Sequence, residues 1–166
     1  MRLRLLGEHR VEIAKLDAQD KHLTRELRAL VQASGSALDQ LVGLATVSVA
    51  ELLIEVGDPR RFTEGGFARF NGTAPLVAST GEGPGEPVRH RYNPAGNRRV
   101  NAILHRMAVT HSAASRAPRR STRTRARGHT KKEARRILKR HLSDVIHRRM
   151  IRDLAELAAD PTLLAA

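Results

Sequence analysis

Apolar residues follow a heptad pattern through the first thirty-odd positions of the chain. The apolar residues of this heptad frame are Leu6, Ile13, Leu16, Leu23, Leu27 and Leu30. The polar residues His9 and Asp20 occupy its two weak positions. A 3.5-residue apolar repeat between charged flanks is typical of a coiled coil. The pattern therefore predicts a helix over residues 1–34 that joins copies of the chain through residues 1–33. An amphipathic helix packed on its own domain explains it equally well.

Residues 37–56 predict a helical hairpin. Apolar residues on both sides of Gly43 favour a short helix, a tight turn and a second helix, which Gly57-Asp58-Pro59 ends. Such a hairpin can offer backbone N–H groups and a helix N-terminus to a phosphate. Ala45 stands where a second glycine is usual in such motifs, and packing of two helices without a ligand is the commoner use of this pattern.

Phe62, Phe67 and Phe70 predict a small aromatic core on another short helical stretch. Their spacing indicates packing against each other and does not indicate a cofactor. Residues 71–93 are then rich in Gly, Pro and Thr, a composition typical of a loop or a short β-hairpin.

Two further helices are predicted towards the C-terminus. The first begins at Pro94, because a first helical turn tolerates proline, and its buried face comprises Val100, Ile103, Leu104, Met107 and Ala108. The second opens with a capping box between Thr130 and Glu133. Its predicted buried face comprises Ala134, Ile137, Leu138, Leu142, Val145 and Ile146.

These elements predict a mainly α fold in four parts. They are a coiled-coil helix over residues 1–34, a small helical domain over 35–115, a basic linker over 116–129 and a basic amphipathic helix over 130–158. The small domain is subdivided into the hairpin 37–56, a serine-bearing loop over 71–93 and a helix over 94–115.

The charge of the chain points to a polyanionic partner. Lys and Arg number 30 against 17 Asp and Glu, which gives a formal net charge of +13. Residues 116–152 alone carry 15 of these basic residues against 2 acidic ones. Cationic side chains displace the counterions condensed on nucleic-acid phosphates, so a focused charge of this size favours nucleic acid. Residues 116–129 are expected to order only when such a partner is bound.

Other features of the composition narrow the partner and the setting. Phe62, Phe67, Phe70 and Tyr92 are the only aromatic residues, so base stacking is expected to be minor and duplex or structured nucleic acid is favoured. The chain lacks a long apolar run, a cleavable leader and cysteine. These absences predict a cytoplasmic protein without a membrane partner.

No metal site is predicted. The eight histidines include no pair that combines i, i+4 spacing with a flanking acidic ligand. Asp39, Glu51, Glu55 and Asp58 are scattered, and a solvated helix face explains Glu51 and Glu55 better than a two-metal centre does.

Ser79 is the candidate nucleophile of the chain. Its hydroxyl lies in a Gly- and Pro-rich segment, and Arg89, His90 and Arg91 are the nearest residues able to support it. Arginine suits phosphate because it forms bidentate hydrogen bonds. On residue type alone, however, a serine in such a segment is usually a turn residue, and a serine nucleophile needs activation.

The order of residues between Gly72 and His105 closely resembles the C-terminal domain of the IS110 family of insertion-sequence transposases. The matching elements are Gly72-Thr73-Ala74-Pro75, Ser79-Thr80-Gly81, Arg89-His90-Arg91, Gly96-Asn97-Arg98, Asn101-Ala102 and Leu104-His105. Residues 52–62 resemble the approach to this motif, and residues 128–142 resemble the basic terminal helix. The resemblance covers roughly residues 1–150, and its central block is the specific part.

This resemblance implies a DNA recombinase that excises and inserts its own mobile element. In the family a RuvC-like domain with an Asp-Glu-Asp-Asp metal site accompanies the serine-bearing domain, and a structured guide RNA selects the DNA sites. Ser79 takes the position of the serine that attacks DNA phosphate and forms a transient covalent link. The expected nucleic-acid contacts are Arg89, Arg91, Asn97, Arg98, Arg99, Lys131, Lys132, Arg135, Arg136, Lys139 and Arg140.

Three departures from the family pattern shape the expectation. The chain begins at the coiled coil, the segment between Gly81 and Arg89 is longer than usual, and Ala45 replaces a glycine. We therefore expect an N-terminally truncated copy that holds no metal cofactor and does not recombine DNA alone. The alternatives are a non-enzymatic basic nucleic-acid-binding protein, in which Ser79 is a turn residue, and a coiled-coil oligomerisation module.

Overall fold

A computed structural model describes residues 2–77, 90–91, 93–114 and 130–159 of the chain. This part is mainly α, as predicted. It contains five α-helices: α1 (Arg2–Ala33), α2 (Thr46–Val56), α3 (Glu64–Phe70), α4 (Arg98–Ala114) and α5 (Lys131–Ala159). Two 3₁₀ turns, η1 (Leu38–Gln40) and η2 (Pro59–Arg61), connect them. Two short strands, β1 (Leu76–Val77) and β2 (His90–Arg91), form an antiparallel pair.

The core lies between α2, α4 and α5. The predicted apolar face of α4 is confirmed, since Val100, Ile103, Leu104, Met107 and Ala108 are each at most 1% exposed. The predicted start of this helix at Pro94 is wrong. It begins at Arg98, because the Asn97 side chain accepts a hydrogen bond from the Val100 N–H at 3.0 Å and so caps the first turn.

The predicted hairpin is present, but its first helix is only the 3₁₀ turn η1. Gly43 adopts a φ of +89°, and a Cβ at this position would lie 3.2 Å from Met107 Cα on α4. Glycine is therefore required here both by its backbone angle and by close packing. Ala45 precedes α2 and provides no side-chain cap.

The predicted aromatic core is confirmed. Phe67 is fully buried, and the Phe62 ring lies 5.8 Å from it and 4.9 Å from the Phe70 ring, measured between centroids. The His147 ring of α5 stacks on Phe67 at 5.1 Å, and its Nε2 lies 3.2 Å from the Pro59 carbonyl oxygen. These contacts dock α3 and η2 onto α5.

The predicted buried face of α5 is only partly correct. Leu142 and Ile146 are buried, whereas Ile137 and Val145 are each 37% exposed. Ile137 lies nine residues before Ile146, which is about two and a half turns at 3.6 residues per turn, so it points to the opposite side. The capping box is confirmed: the Thr130 N–H donates to Glu133 Oε2 at 2.7 Å, and the Glu133 N–H donates to Thr130 Oγ1 at 3.3 Å.

Among the described residues, helix α1 packs on the core near its C-terminal end, through Val31 and Leu27. Val31 is buried there, whereas Leu6, Ile13, Leu16, Leu23 and Leu30 are 53–68% exposed. The following turn is fastened by Asp153 of α5, which accepts hydrogen bonds from Ala37 N at 3.0 Å and Ser36 Oγ at 3.2 Å. Arg149 forms an ion pair with the same carboxylate at 2.7 Å.

Candidate nucleic-acid interface

Residues 78–89, the segment that carries Ser79 and ends at Arg89, lie outside the described residues. The structure places the two chain ends that flank it. In the strand pair, Leu76 is opposite Arg91 and Val77 is opposite His90. The two flanks of the Ser79 segment therefore run side by side.

The same two flanks touch again at a pair of glycines, which we call the loop base (Gly72 and Gly96). A Cβ on Gly96 would overlap the N and Cα atoms of Gly72 and lie 2.8 Å from the Asn71 carbonyl carbon. Gly72 has a φ of +72°, a left-handed angle that favours glycine. The described residues before and after the Ser79 segment thus meet at one point of the helical domain.

Asparagines tie the loop base to α4 and α5. Asn71 is fully buried, donates to Ser143 Oγ of α5 at 2.7 Å and accepts from Thr73 N at 3.1 Å and Thr73 Oγ1 at 2.7 Å. The Asn101 side chain of α4 donates to the main-chain carbonyl of Asn71 at 2.6 Å, and its amide oxygen accepts from Lys139 Nζ at 2.6 Å. We call this chain of contacts the Asn relay (Ser143, Asn71, Asn101 and Lys139).

Sequence reasoning assigned no role to Asn71 or Ser143, and Asn101 entered it only as part of the resemblance. The available signal was local: Asn71 precedes Gly72, and Asn97 follows Gly96. Asparagine beside glycine usually marks a turn, because its side chain bonds to nearby backbone. The contact to Ser143 spans 72 positions, and no local pattern predicts it.

Basic side chains gather where α4 meets α5, next to the loop base. We call them the α4–α5 basic cluster (Arg98, His105, Arg135 and Lys139). Partial loss of hydration, followed by the charge of Arg98, lowers the pKa of Lys139. Partial loss of hydration, then the charges of Lys139 and Arg135, lowers the pKa of His105. The hydrogen bond from Lys139 Nζ to Asn101 Oδ1 joins the two helices at this junction, and both pKa shifts agree with a concentration of positive charge there.

The other predicted contact residues do not all join this cluster. Asn97 donates to Glu55 Oε2 at 2.7 Å and Arg99 pairs with Glu55 Oε1 at 3.1 Å, so both face α2. The sequence pattern assigns Glu55 to a solvated helix face. Its side chain is only 20% exposed, so it is less solvated than that interpretation implies. Arg140 pairs with Asp144 one turn further along α5.

The remaining predicted contacts lie on the surface. Lys131, Lys132 and Arg136 are exposed on the first turns of α5, on the same stretch of helix as Arg135. Arg91 belongs to β2, and the structure describes its backbone only. Exposed cations on one helical stretch provide a surface for a phosphate backbone.

In residues 2–77, 90–91, 93–114 and 130–159, no three His, Asp or Glu side chains come close enough together to hold a metal ion. No helix within those ranges has the length and apolar character needed to cross a membrane.

A family model described as Transposase IS116/IS110/IS902 family matches residues 35–125. The chain belongs to this transposase family. Membership gives the protein a role in DNA transposition and implies that it binds DNA. No curated protein matches the chain.

The match places the loop base within the transposase domain. Residues 35–125 include the hairpin, the aromatic core, the Ser79 segment and α4, whereas α1 and α5 lie outside them. The α4–α5 basic cluster of this transposase therefore combines two residues of the matched region, Arg98 and His105, with two from the helix beyond it, Arg135 and Lys139.

Proposed function

We propose that this transposase domain binds duplex DNA along α4 and the start of α5 and presents Ser79 to a phosphate of the bound strand. One observation carries the proposal: both flanks of the Ser79 segment are anchored at the loop base, beside the α4–α5 basic cluster. Cations at this point would hold the DNA backbone within reach of the segment.

In the proposed reaction, Ser79 Oγ forms a bond to a backbone phosphorus atom. The serine hydroxyl releases its proton and one bridging P–O bond breaks. The leaving oxygen keeps the electron pair of that bond and takes up a proton, so it becomes a strand-end hydroxyl. Reversal of this step on another strand end transfers the DNA. The family resemblance of the Ser79-Thr80-Gly81 sequence supports this role, and it also supports a structured guide RNA as a second partner.

We expect the affinity for duplex DNA to depend steeply on salt. Binding that neutralises six or more phosphates releases their counterions, so affinity should fall about a thousandfold between 50 and 200 mM salt. Fluorescence anisotropy of a labelled duplex across this range measures the slope. A flat response would contradict binding through the basic face.

Replacing Ser79 with alanine is expected to abolish strand transfer while leaving duplex binding intact. Loss of a covalent nucleophile lowers turnover by about a thousandfold or more. The measurement is strand transfer with the complete transposition machinery, together with the covalent protein–DNA product on a denaturing gel. Ser112→Ala is the matched control, because Ser112 is an exposed serine on α4 whose hydroxyl donates to the Ala108 carbonyl of the same helix.

Unchanged strand transfer by the Ser79→Ala variant would favour the alternative function, a basic DNA-binding protein in which Ser79 is a turn residue. That alternative has support of its own, since the exposed cations Lys131, Lys132 and Arg136 lie outside the family match. It predicts intact salt-dependent binding without any covalent product.

We also propose that α1 joins two copies of the chain through its heptad seam. The support is the row of exposed apolar side chains on a helix that, in the described part of the chain, packs on its own domain near its C-terminal end. We expect Ile13→Glu to weaken self-association at least tenfold, because it places a charge in the seam. Val11→Glu is the control, since Val11 is 70% exposed but lies off the seam. Sedimentation equilibrium measures both, and a monomeric wild-type chain at high concentration would contradict the proposal.

A further inference from the structure

We propose that Lys139 binds one backbone phosphate of duplex DNA at the base of the Ser79 segment, and that Asn101 holds its ammonium group in position. The inference rests on the proposed function, namely that the domain binds duplex DNA along α4 and α5. It adds a specific subsite and a positioning residue, neither of which follows from the family match, because Lys139 lies outside residues 35–125.

The Asn relay determines where the Lys139 ammonium lies. The Asn71 carbonyl can only accept a hydrogen bond, so the Asn101 amide must turn its NH₂ group towards it. The Asn101 carbonyl oxygen then faces Lys139 Nζ at 2.6 Å. Because Asn71 is itself held by Ser143, the ammonium is fixed relative to both the loop base and α5.

The partner of Lys139 differs from those of its neighbours on the same helix. Arg140 pairs with Asp144 and Arg149 pairs with Asp153, each with a carboxylate four residues further on. The residue four positions after Lys139 is Ser143, and its hydroxyl accepts from Asn71. The relay thus orients the Lys139 charge through a neutral amide, which leaves the charge uncompensated by that contact.

The surroundings of Lys139 favour an anion. Arg98, His105 and Arg135 share the junction with it, and partial loss of hydration, followed by the neighbouring positive charges, lowers the pKa values of Lys139 and His105. An ammonium has three N–H donors, and the contact to Asn101 uses one of them. A phosphodiester offers a negative charge and non-bridging oxygens that accept the others. Because the chain belongs to a transposase family, we assign this phosphate to DNA.

A double-mutant cycle tests the positioning role. We expect Lys139→Gln to weaken binding of a short DNA duplex about tenfold and to reduce the salt slope by about one. Asn101→Leu should weaken binding in the wild-type background and in the Lys132→Gln background alike. It should have no further effect in the Lys139→Gln background, because the group that it positions is already absent. Lys132 is the control because it is an exposed lysine on the same helix.

His105 provides a second measurement, made on the wild-type chain with inorganic phosphate as the probe. The charged groups that face His105 are Lys139 and Arg135 of α5. A phosphate bound between them offsets both charges, so the His105 pKa, followed by NMR of its ring, should rise. In Lys139→Gln it should rise without phosphate, and added phosphate should then change it less. This measurement still decides the question if Asn101→Leu fails to fold.

The outcomes separate the inference from the proposed function. Absence of salt-dependent duplex binding by the wild-type chain would overturn both. Two results would overturn the Lys139 subsite alone. They are normal duplex binding by Lys139→Gln with an unchanged salt slope, and a His105 pKa that does not change when phosphate is added. An RNA duplex bound more tightly than DNA, with the same dependence on Lys139, would overturn the assignment to DNA.

Discussion

Replacing Gly96 with alanine is expected to destabilise the fold by about 3 kcal/mol, because two backbone segments meet at this glycine without room for a methyl group. The added Cβ would overlap Gly72 N and Cα and would press on the Asn71 carbonyl carbon. Those atoms belong to the turn that Asn71 and Thr73 hold, so they cannot move aside independently. Thermal unfolding followed by circular dichroism should show a midpoint lower by roughly 6–12 °C.

Gly65→Ala is the matched control for this substitution. Gly65 lies in α3, and a Cβ there would meet no atom within 4 Å. Alanine has a higher helix propensity than glycine, so the control should be neutral or stabilising by up to about 1 kcal/mol. Equal losses at Gly65 and Gly96 would contradict the close contact at the loop base.

Replacing Asn71 with alanine is expected to cost about 3 kcal/mol, because a fully buried side chain that makes three hydrogen bonds is lost. Ser143 is also fully buried, and its hydroxyl would lose the donor that Asn71 supplies. A buried polar group left without a partner costs about 1–3 kcal/mol. Urea denaturation measures the loss, and duplex binding should weaken with it because the Asn71 side chain holds the turn whose main-chain carbonyl accepts from Asn101.

Two further variants make this test specific. Thr110→Ala removes one exposed hydrogen bond to the Arg106 carbonyl and should change stability by less than about 0.5 kcal/mol. Ser143→Ala should cost less in the Asn71→Ala background than alone, because the two side chains share one contact. Additive losses would show that Asn71 acts through some other interaction.

The parts of this fold that were predicted correctly depend on neighbours in sequence. The apolar stripe from Val100 to Ala108 repeats with the helical period, and burial of that stripe follows whichever element covers it. The capping box between Thr130 and Glu133 closes within one turn. Each pattern involves only residues a few positions apart, so it can be predicted from the sequence alone.

The predictions fail where a distant contact changes a local preference. Pro94 suits a first helical turn, but α4 begins after Asn97, whose side-chain oxygen accepts from the Val100 N–H. The amide nitrogen of the same side chain donates to Glu55 of α2. On α5 the apolar residues Ile137 and Val145 continue the expected stripe. The buried side instead follows Ile146, His147 and Met150, because α3 and η2 cover that side and His147 stacks on Phe67.

The candidate site shows the same division. Arg98, Arg135 and Lys139 were predicted as nucleic-acid contacts, together with other basic residues such as Lys132 and Arg140. Charge alone could not separate Lys139 from Lys132 or Arg140. The contact with Asn101 on the neighbouring helix α4 distinguishes Lys139, because it orients this cation through a neutral amide, whereas Arg140 pairs with a carboxylate.

Composition, helical period and residue order were enough to establish the mainly helical class and the transposase family, because neither depends on distant contacts. They could not show that Gly72 meets Gly96, or that Ser143, Asn71, Asn101 and Lys139 form one relay. These residues belong to separate elements, and they meet only because burial of the core brings α4, α5 and the loop base together.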